Sequence, residues 1–461
     1  MRPLNTFSLD DTITVIATPL GEGGVGIVKM SGPEAASILR RLFVPASRAT
    51  HGLEPRCLTF GHICDPETGD VVDEVLAVTM PGPHSYTRQD VVEIQAHGGI
   101  VPLRRILGLT LAAGARAAEP GEMTLRAFLN GRLDLAQAEA VLDVVQARTE
   151  AALRVATEQL GGTLSARVRE VRAELVDVLA YLEASIDFVE DEIPPQDVIT
   201  PLHEIAAALE EILATADRGL IYRQGIRAAI VGRPNVGKSS LLNALLRGER
   251  AIVTPIPGTT RDTLEETANV GGVPLVLVDT AGIRTETGDE VERIGVERSR
   301  AALERADLAL LVVDGSQPLI DADWDITALI GHKPALVVAN KCDLPQLELP
   351  DNLLPTVTRI RVSALTGEGI EALEEALVEL VFGGTVTAAD TPLVSNPRHQ
   401  ASLKRALDHV QAAEGGQLGG LSSDLVAIDV REAVDALGEI TGETASEDLL
   451  EAIFSNFCIG K

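Results

Sequence analysis

The sequence predicts an N-terminal α/β domain followed by a helical domain that is split by an inserted, doubly wound α/β domain. Three observations lead to this fold class. Strand-like and helix-like runs alternate up to about residue 125, an Ala- and Leu-rich helical pattern follows and returns near the C-terminus, and a regular strand–helix alternation lies between these helical stretches. We expect the boundaries 1–125, 126–222, 223–384 and 385–461, with both helical segments packing as one domain.

The composition is that of a globular protein with several domains. The chain has 461 residues, 45% hydrophobic and 23% charged, and no apolar run approaches the ~18 residues that span a bilayer. The first residues lack the apolar core of a secretion signal. The four cysteines are scattered and none belongs to a CxxC pair, so we expect neither a disulfide framework nor a zinc site. This cysteine usage favours a reducing compartment. We therefore expect a cytoplasmic protein without a membrane span.

The net charge of −29 opposes non-specific binding to the phosphate backbone of nucleic acids. If the chain acts on RNA, it must contact the RNA through small local patches or through a basic partner protein. A simpler interpretation stays open, in which the acidic surface only supports solubility.

The first 125 residues contain a glycine-rich turn, Gly21 to Gly26, that matches GxGxxG. A strand-like run follows it where a dinucleotide site requires a helix, so we predict a hairpin instead. The strand-like runs of this region are Ile13–Thr18, Gly26–Met30, Val72–Met80 and Val91–Ala96, and the helix-like runs are Glu34–Leu42 and Ile100–Ala113.

The helical segments carry two local signals. Thr444 and Glu447 have the spacing of a capping box, which predicts the start of a final helix ending near Phe457. Apolar residues at alternating steps of four and three predict a packing seam on one long helix. The seam residues are Leu164, Val168, Val171, Leu175, Val178 and Leu182.

A glycine-rich motif, GRPNVGKSS, occupies residues 232–240 between a strand-like and a helix-like run. Backbone N–H groups of such a turn, backed by a helix N-terminus, bind phosphates. Lys238 would reach the β- and γ-phosphates, and the Ser239 hydroxyl would bind Mg²⁺. A plain glycine turn is the alternative. The expected contacts are Asn235, Val236, Gly237, Lys238, Ser239 and Ser240.

Four further motifs follow in a fixed order, at the ends of predicted strands or in the loop after the first helix. Asp279 can hold Mg²⁺ through water, and the Gly282 N–H can sense the γ-phosphate. Thr260 can close over Mg²⁺, and Asp343 can accept from two N–H groups of guanine. The motifs are Gly258-Thr259-Thr260-Arg261-Asp262, Asp279-Thr280-Ala281-Gly282, Asn340-Lys341-Cys342-Asp343 and Ser363-Ala364-Leu365.

This set resembles the translation-factor-type GTPases and predicts GTP as the ligand. The strands that carry it are predicted at 226–231, 273–278, 308–313, 335–339 and 359–362.

The residue after Gly282 is Ile283, where Ras-like enzymes carry a glutamine that orients the attacking water. Glu292 is a candidate for that task, although it could also be an ordinary exposed helix carboxylate. We find no arginine placed as an arginine finger, the side chain that stabilises the charge of the transition state in other GTPases. A monovalent cation could take the place of that arginine. Asn235 offers a side-chain oxygen for such an ion, and carbonyl groups between Thr254 and Thr259 could complete its shell.

Beyond these motifs, the whole chain resembles the MnmE (TrmE) family of tRNA-modification GTPases. The segments that carry the resemblance are ATPLGEGGVGIVKMSG, PGPHSYTRQDVVEIQAHGG, EPGEMTLRAFLNGRLDLAQAEA and the terminal FCIGK. It implies an N-terminal domain similar to tetrahydrofolate-binding folds, which forms a homodimer and binds 5-formyltetrahydrofolate or a related one-carbon donor. The residues that match its folate contacts are Lys29, Glu93, Arg132 and Lys461, and Cys458 matches its terminal cysteine.

The resemblance also implies work with the FAD protein MnmG (GidA), in a heterotetrameric or larger complex. Together they would add an aminomethyl or carboxymethylaminomethyl group to C5 of the wobble uridine of certain tRNAs. Lys238, Glu292 and Cys458 would be the catalytic residues. Potassium would bind at Asn235, Thr254, Ile256 and Thr259. The last three belong to a second GTP-contacting loop, formed by Thr254, Pro255, Ile256, Pro257, Gly258, Thr259 and Thr260.

Two alternatives stay open. The chain could be a regulatory GTP switch that assembles ribosomes or partner proteins, or its flanking domains could be a dimerisation scaffold without folate chemistry. The FCIGK tail and the folate-like flanks favour tRNA modification over the switch.

Overall fold

The computed structural model describes residues 10–47, 53–187, 194–247, 266–278, 299–383, 394–458 and 460. The chain forms two compact units. The first comprises Met1–Leu142, Gln159–Leu202 and Asp408–Lys461, and the second comprises Asp143–Glu158 and His203–Leu407. Each unit combines one α/β region with parts of the helical segments, and the four boundaries expected above stay a prediction.

A seven-stranded sheet lies in the first unit, in the order β3-β4-β5-β6-β2-β1-β7. Its neighbouring strands are antiparallel except for the parallel pair β1–β7. Alternate residues, such as Val28 and Met30, are buried against two helices on one face. The strands are β1 Ile13–Ile16, β2 Gly23–Ser31, β3 Phe43–Pro45, β4 Thr59–Cys64, β5 Val71–Met80, β6 Val91–Gly98 and β7 Arg116–Ala117.

The glycine-rich segment Gly21–Gly26 runs into β2 and joins two antiparallel strands, with Ile16 opposite Val28. It is followed by strand rather than helix, so the predicted hairpin is confirmed.

A six-stranded sheet lies in the second unit, in the order β13-β12-β11-β8-β10-β9, and only the pair β9–β10 is antiparallel. Both faces are buried: Leu310 and Val312 of β11 belong to one core, whereas Leu311 and Val313 belong to the other. The five predicted strands are present to within two residues. The strands are β8 Ile226–Val231, β9 Glu266–Val270, β10 Val273–Leu277, β11 Leu308–Asp314, β12 Ala335–Asn340 and β13 Arg359–Arg361.

One pair of long helices forms the helical core of the first unit. All six predicted seam residues of helix Thr163–Asp187 are buried, and this helix packs along helix Ser423–Thr441. Among the described residues, no helix combines the length and apolarity needed to cross a bilayer. The other helices described are Ala35–Leu42, Ile100–Ala112, Glu122–Leu129, Leu135–Gln146, Glu150–Leu160, Ile199–Leu213, Ala216–Gln224, Lys238–Arg247, Asp321–Ile330, Ile370–Phe382, Pro397–Leu418 and Glu447–Phe454.

The predicted capping box at the last helix is wrong. The N-cap is Ser446, whose side chain accepts a hydrogen bond from the Leu449 N–H. Thr444 instead donates to the Asp435 carbonyl oxygen (2.7 Å), because it belongs to the turn after the preceding helix. Ser446 directly precedes the first helical residue and has the extended backbone that a cap requires.

The segments that lead into and out of the second sheet lie side by side within the second unit. Helix Ala216–Gln224 precedes β8, and a Cβ at Gly219 would collide with the Val394 carbonyl oxygen. Asp217 on the same helix accepts a hydrogen bond from Gln400 (3.1 Å). The close approach therefore requires glycine at position 219.

A group of four charged residues, two of them buried, fixes the start of helix Glu122–Leu129. Arg126 and Glu122 are 1% and 0% exposed and are joined at 3.0 Å. Arg126 also pairs with Asp11, and Arg116 bridges Asp11 (2.7 Å) and Glu122 (2.6 Å). Burial raises the pKa of Asp11, but hydrogen bonds from the two arginines outweigh it and hold the pKa below its ordinary value of 3.8. This contribution to stability is therefore present above about pH 4 and is lost as the pH falls through the lowered pKa.

We predict that Arg126→Met destabilises the first unit by about 3–5 kcal/mol, because it leaves Glu122 buried without one of its two cations. The measurement is hydrogen exchange of the β6 amides under native conditions. The matched control is Arg431→Ala, whose pair with Glu183 is exposed (58% and 45%) and should cost below about 1 kcal/mol. Equal protection of β6 in both variants would contradict the prediction.

Candidate functional site

Two glycines shape the loop between β8 and helix Lys238–Arg247. Gly232 and Gly237 have φ of 154° and 97°. A Cβ would collide with the Val312 carbonyl oxygen at the first position and with the Asn340 amide at the second. Only glycine lets the loop approach β11 and β12 so closely. The predicted strand–turn–helix context is confirmed, and it lies where the strand order reverses, a preferred ligand position in doubly wound sheets.

The Lys238 side chain folds back over this loop. It is 7% exposed, and its ammonium donates to the carbonyl oxygens of Gly232 (2.8 Å) and Arg233 (2.9 Å). A buried ammonium needs such acceptors, so the positive charge is held beside the loop and can attract an anion. Asn235 is exposed and has φ of 64°, a conformation that asparagine adopts more readily than most residues. Ser239 is half-buried on the first helical turn.

The Asn340 side chain joins two loops to the end of β12 at the carboxyl edge of the sheet. Its amide donates to the Val236 carbonyl oxygen (2.8 Å), and its side-chain oxygen accepts from the Ala364 N–H (3.0 Å). Asn340 is 2% exposed, so both bonds are shielded from water. The loop between β8 and helix Lys238–Arg247, from here on called the phosphate loop, is thereby fixed to the end of β12. The loop after β13 is fixed to the same strand end.

Asp343 presents a carboxylate that is oriented from one side. The Ser363 hydroxyl donates to Asp343 Oδ1 (2.6 Å) and accepts from the Thr366 N–H (3.2 Å). Ser363 is fully buried, whereas Asp343 and Leu365 are exposed. The carboxylate can therefore accept further N–H groups from a planar ligand without losing its orientation.

Asp314 is a site residue that the sequence analysis missed. Lys341, at φ of 65°, donates to Asp314 Oδ2 (2.6 Å), and Ser316 donates to Oδ1 (2.6 Å). Burial raises the pKa of Asp314, but these hydrogen bonds outweigh it and hold the pKa below its ordinary value. The pair holds the Lys341 side chain against the end of β11. An aspartate directly after an apolar strand, at the edge where the other motifs lie, was the available signal.

A second cluster of predicted residues lies on the first sheet. Lys29 on β2 is opposite Glu93 on β6, and their side chains form an ion pair of 3.0 Å. The Tyr86 ring lies under the Arg132 guanidinium, 4.6 Å from the ring centroid, and 5.8 Å from the Lys29 ammonium. Three of the four expected folate contacts are thus brought together. Tyr86 was missed, because its spacing along the chain carries no signal.

The C-terminal tail returns to the same sheet. Gly460 is buried, and a Cβ there would collide with Ala17 at the end of β1. Cys458 is exposed. Gly460 therefore lies beside the β1–β2 pair that carries Lys29. The catalytic role of Cys458 stays a prediction.

Several predicted site residues lie outside the described residues, and their assignments stay predictions. They are Thr254, Pro255, Ile256, Pro257, Gly258, Thr259, Thr260, Asp279, Thr280, Ala281, Gly282, Ile283, Glu292 and Lys461.

Comparisons with known proteins cover almost the whole chain. The model of the MnmE helical domain matches residues 135–458, and that of the GTP-binding protein TrmE N-terminus matches residues 12–132. The "tRNA modification GTPase MnmE" of Chloroflexus aurantiacus is 53% identical over 457 residues, which is 98% of this chain and 100% of that protein. The chain belongs to the MnmE family. The proteins of the same name from Roseiflexus castenholzii and Alkaliphilus metalliredigens are 54% and 50% identical, covering 98% of this chain and 99% and 100% of theirs.

The two clusters fall in different parts of this MnmE-family chain. The cluster of Lys29, Tyr86, Glu93 and Arg132, from here on called the Lys29 cluster, lies within the residues matched by the TrmE N-terminus. The phosphate loop and Asn340 lie between the two ends of the helical-domain match. The family resemblance drawn from the sequence is confirmed.

We predict that Gly237→Ala weakens binding of a fluorescent GDP analogue at least about tenfold, because the methyl group displaces either the loop or the Asn340 amide. The matched control is Gly331→Ala. Gly331 also has a positive φ, of 61°, but a Cβ there meets nothing within 4 Å. Its affinity should stay within about twofold of wild type. Equal affinities of the two variants for the GDP analogue would contradict the prediction that the collision at position 237 weakens binding.

Proposed function

We propose that this chain is a potassium-dependent GTP hydrolase that acts in tRNA modification in the cytoplasm. With the FAD protein MnmG it would add an aminomethyl or carboxymethylaminomethyl group to C5 of the wobble uridine of certain tRNAs, using a tetrahydrofolate one-carbon donor. The observation that carries the proposal is identity of 53% to a protein named tRNA modification GTPase MnmE over essentially the whole chain. The geometry of both clusters supports it.

The phosphate end of the site would bind the β- and γ-phosphates through Lys238 and the loop N–H groups. The ammonium already lies against two loop carbonyl groups, and the helix N-terminus adds positive field. Mg²⁺ prefers hard oxygen donors, and the hydroxyl of Ser239 is such a donor. Thr260 would supply a second hydroxyl, and bound Mg²⁺ would offset charge on the phosphate oxygens.

The base end of the site would select guanine. A carboxylate accepts from N1–H and the 2-amino group of guanine, whereas adenine offers neither in that arrangement. Asp343 is exposed and held by Ser363, which suits this task. The Ala364 N–H is already engaged by Asn340, so the guanine oxygen would be met by a neighbouring N–H of the same loop.

Hydrolysis would depend on two groups of the chain. Glu292 would orient the attacking water in place of the glutamine of Ras-like enzymes. Asn235 would offer its side-chain oxygen to potassium, together with Thr254, Ile256 and Thr259, and bound potassium would offset charge that develops between the β- and γ-phosphates. The exposed Asn235 side chain supports this assignment.

The one-carbon donor would bind at the cluster of Lys29, Glu93 and Arg132, with Lys461 and Cys458 from the tail. Two cations and one carboxylate within one cluster fit a ligand with anionic carboxylates and an N–H-rich pterin ring. The donor would supply the one-carbon unit. A homodimer through the N-terminal domain, and a larger complex with MnmG, would bring tRNA to a chain whose net charge of −29 repels nucleic acid.

The function is tested by deleting the gene and measuring modified wobble uridine in total tRNA by mass spectrometry. We expect the modified nucleoside to disappear and to return with the wild-type gene, but not with Lys238→Ala, which removes the ammonium of the phosphate loop. Lys404→Ala, at an exposed helical lysine, is the matched control and should restore it. Unchanged nucleosides in the deletion strain would leave only the regulatory switch.

Potassium dependence is tested by replacing K⁺ with Na⁺ in a GTP hydrolysis assay. We expect at least about tenfold slower turnover, because charge at this position is worth roughly 10³–10⁵ in rate when an arginine supplies it. Asn235→Gly keeps the positive φ of 64° but removes the oxygen, so it should be slow in both salts. Equal rates of GTP hydrolysis by the wild-type protein in the two salts would contradict the proposed potassium site.

A further inference from the structure

Tyr86 lies at the centre of the Lys29 cluster although no sequence signal pointed to it. Its ring faces two cations from different parts of the chain, Arg132 at 4.6 Å and Lys29 at 5.8 Å from the centroid. Glu93 neutralises only one of them, through its 3.0 Å ion pair with Lys29. The electron-rich face of an aromatic ring attracts a cation at such a distance, so one ring contributes to holding both side chains.

The Tyr86 ring is held in place through its hydroxyl group. The Tyr86 hydroxyl bonds to the buried hydroxyl of Thr124 (2.9 Å). Burial raises the pKa of Tyr86, so a neutral ring faces the cations. Next to it, Asn130 donates to the Thr87 carbonyl oxygen (2.7 Å).

Two further contacts join the segment of Tyr86 to the chain just before Arg132. Arg88 donates to the Asn130 carbonyl oxygen (3.0 Å), and Arg126 donates to the side-chain oxygen of Gln89 (3.0 Å). Residues 86–89 are thereby joined to helix Glu122–Leu129 and to Asn130, which directly follows it. Arg132 itself is exposed, so its side chain would extend into water without the ring.

We propose that Tyr86 is a positioning residue of the one-carbon-donor site, whose ring holds the Arg132 guanidinium and the Lys29 ammonium in the arrangement that binds the folate anion. This inference rests on the proposed folate function. Holding both long side chains before the ligand arrives reduces the entropy that binding would otherwise cost. The ring, rather than the hydroxyl, is the part that matters for affinity.

The test is isothermal titration of the full-length protein with (6S)-5-formyltetrahydrofolate. Tyr86→Phe keeps the ring and should bind within about threefold of wild type, whereas Tyr86→Leu should bind about tenfold more weakly. Both variants should bind GDP as wild type does, since the phosphate loop is on another sheet. If the leucine variant does not fold, Tyr86→Met fills similar space without an aromatic face and takes its place.

A double-mutant cycle tests whether Tyr86 acts through Arg132. Arg132→Gln should weaken binding, and adding Tyr86→Leu to it should weaken binding by less than about threefold more, because the ring then has one cation fewer to hold. A full tenfold additional loss would overturn the positioning role. So would equal losses in Tyr86→Phe and Tyr86→Leu, or no loss in either.

Glu93→Gln separates this inference from the proposed function. No folate binding by the wild-type protein would overturn the proposed one-carbon chemistry and the inference with it. Binding that Glu93→Gln weakens but Tyr86→Leu does not would overturn the inference alone.

Discussion

The amide of Asn340 is the contact on which the nucleotide site depends. Its two hydrogen bonds, to Val236 and Ala364, connect the loops that follow β8 and β13 to the end of β12. Both are buried, so loss of either partner would leave a polar group unsatisfied, which costs about 1–3 kcal/mol. Because the two loops are joined through one side chain, a shift of the loop before helix Lys238–Arg247 is passed on to the loop after β13. Gly237 has no side chain because this amide occupies the space where one would be.

The central strands were predictable because each is buried on both faces. A strand such as β11 is an unbroken apolar run between polar turns, which is the strongest strand signal a single sequence carries. β3 and β7 span three and two residues, too few to show periodicity. β4 mixes His62 with apolar neighbours on a half-exposed face, so its pattern was weak. The cap at Ser446 was missed because two hydroxyl residues competed, and only the turn geometry decides between them.

The two clusters differ in how much of them the sequence predicted. Residues of the nucleotide site sit in short motifs at strand ends, so their proximity follows from the parallel sheet. Lys29 and Glu93 meet only because of the register between β2 and β6, and a slip by one residue would send their side chains to opposite faces. Their grouping came from the family resemblance rather than from spacing. Tyr86 and Asp314 were missed, since their partners lie elsewhere in the chain.

The contact at Gly219 has a consequence for how such a protein can arise. Helix Ala216–Gln224 and the segment at Val394 lie against each other, so the polypeptide leaves the second sheet next to where it arrived. Chain ends that lie this close together are the geometry in which one domain can be inserted into another without separating the elements on either side of it.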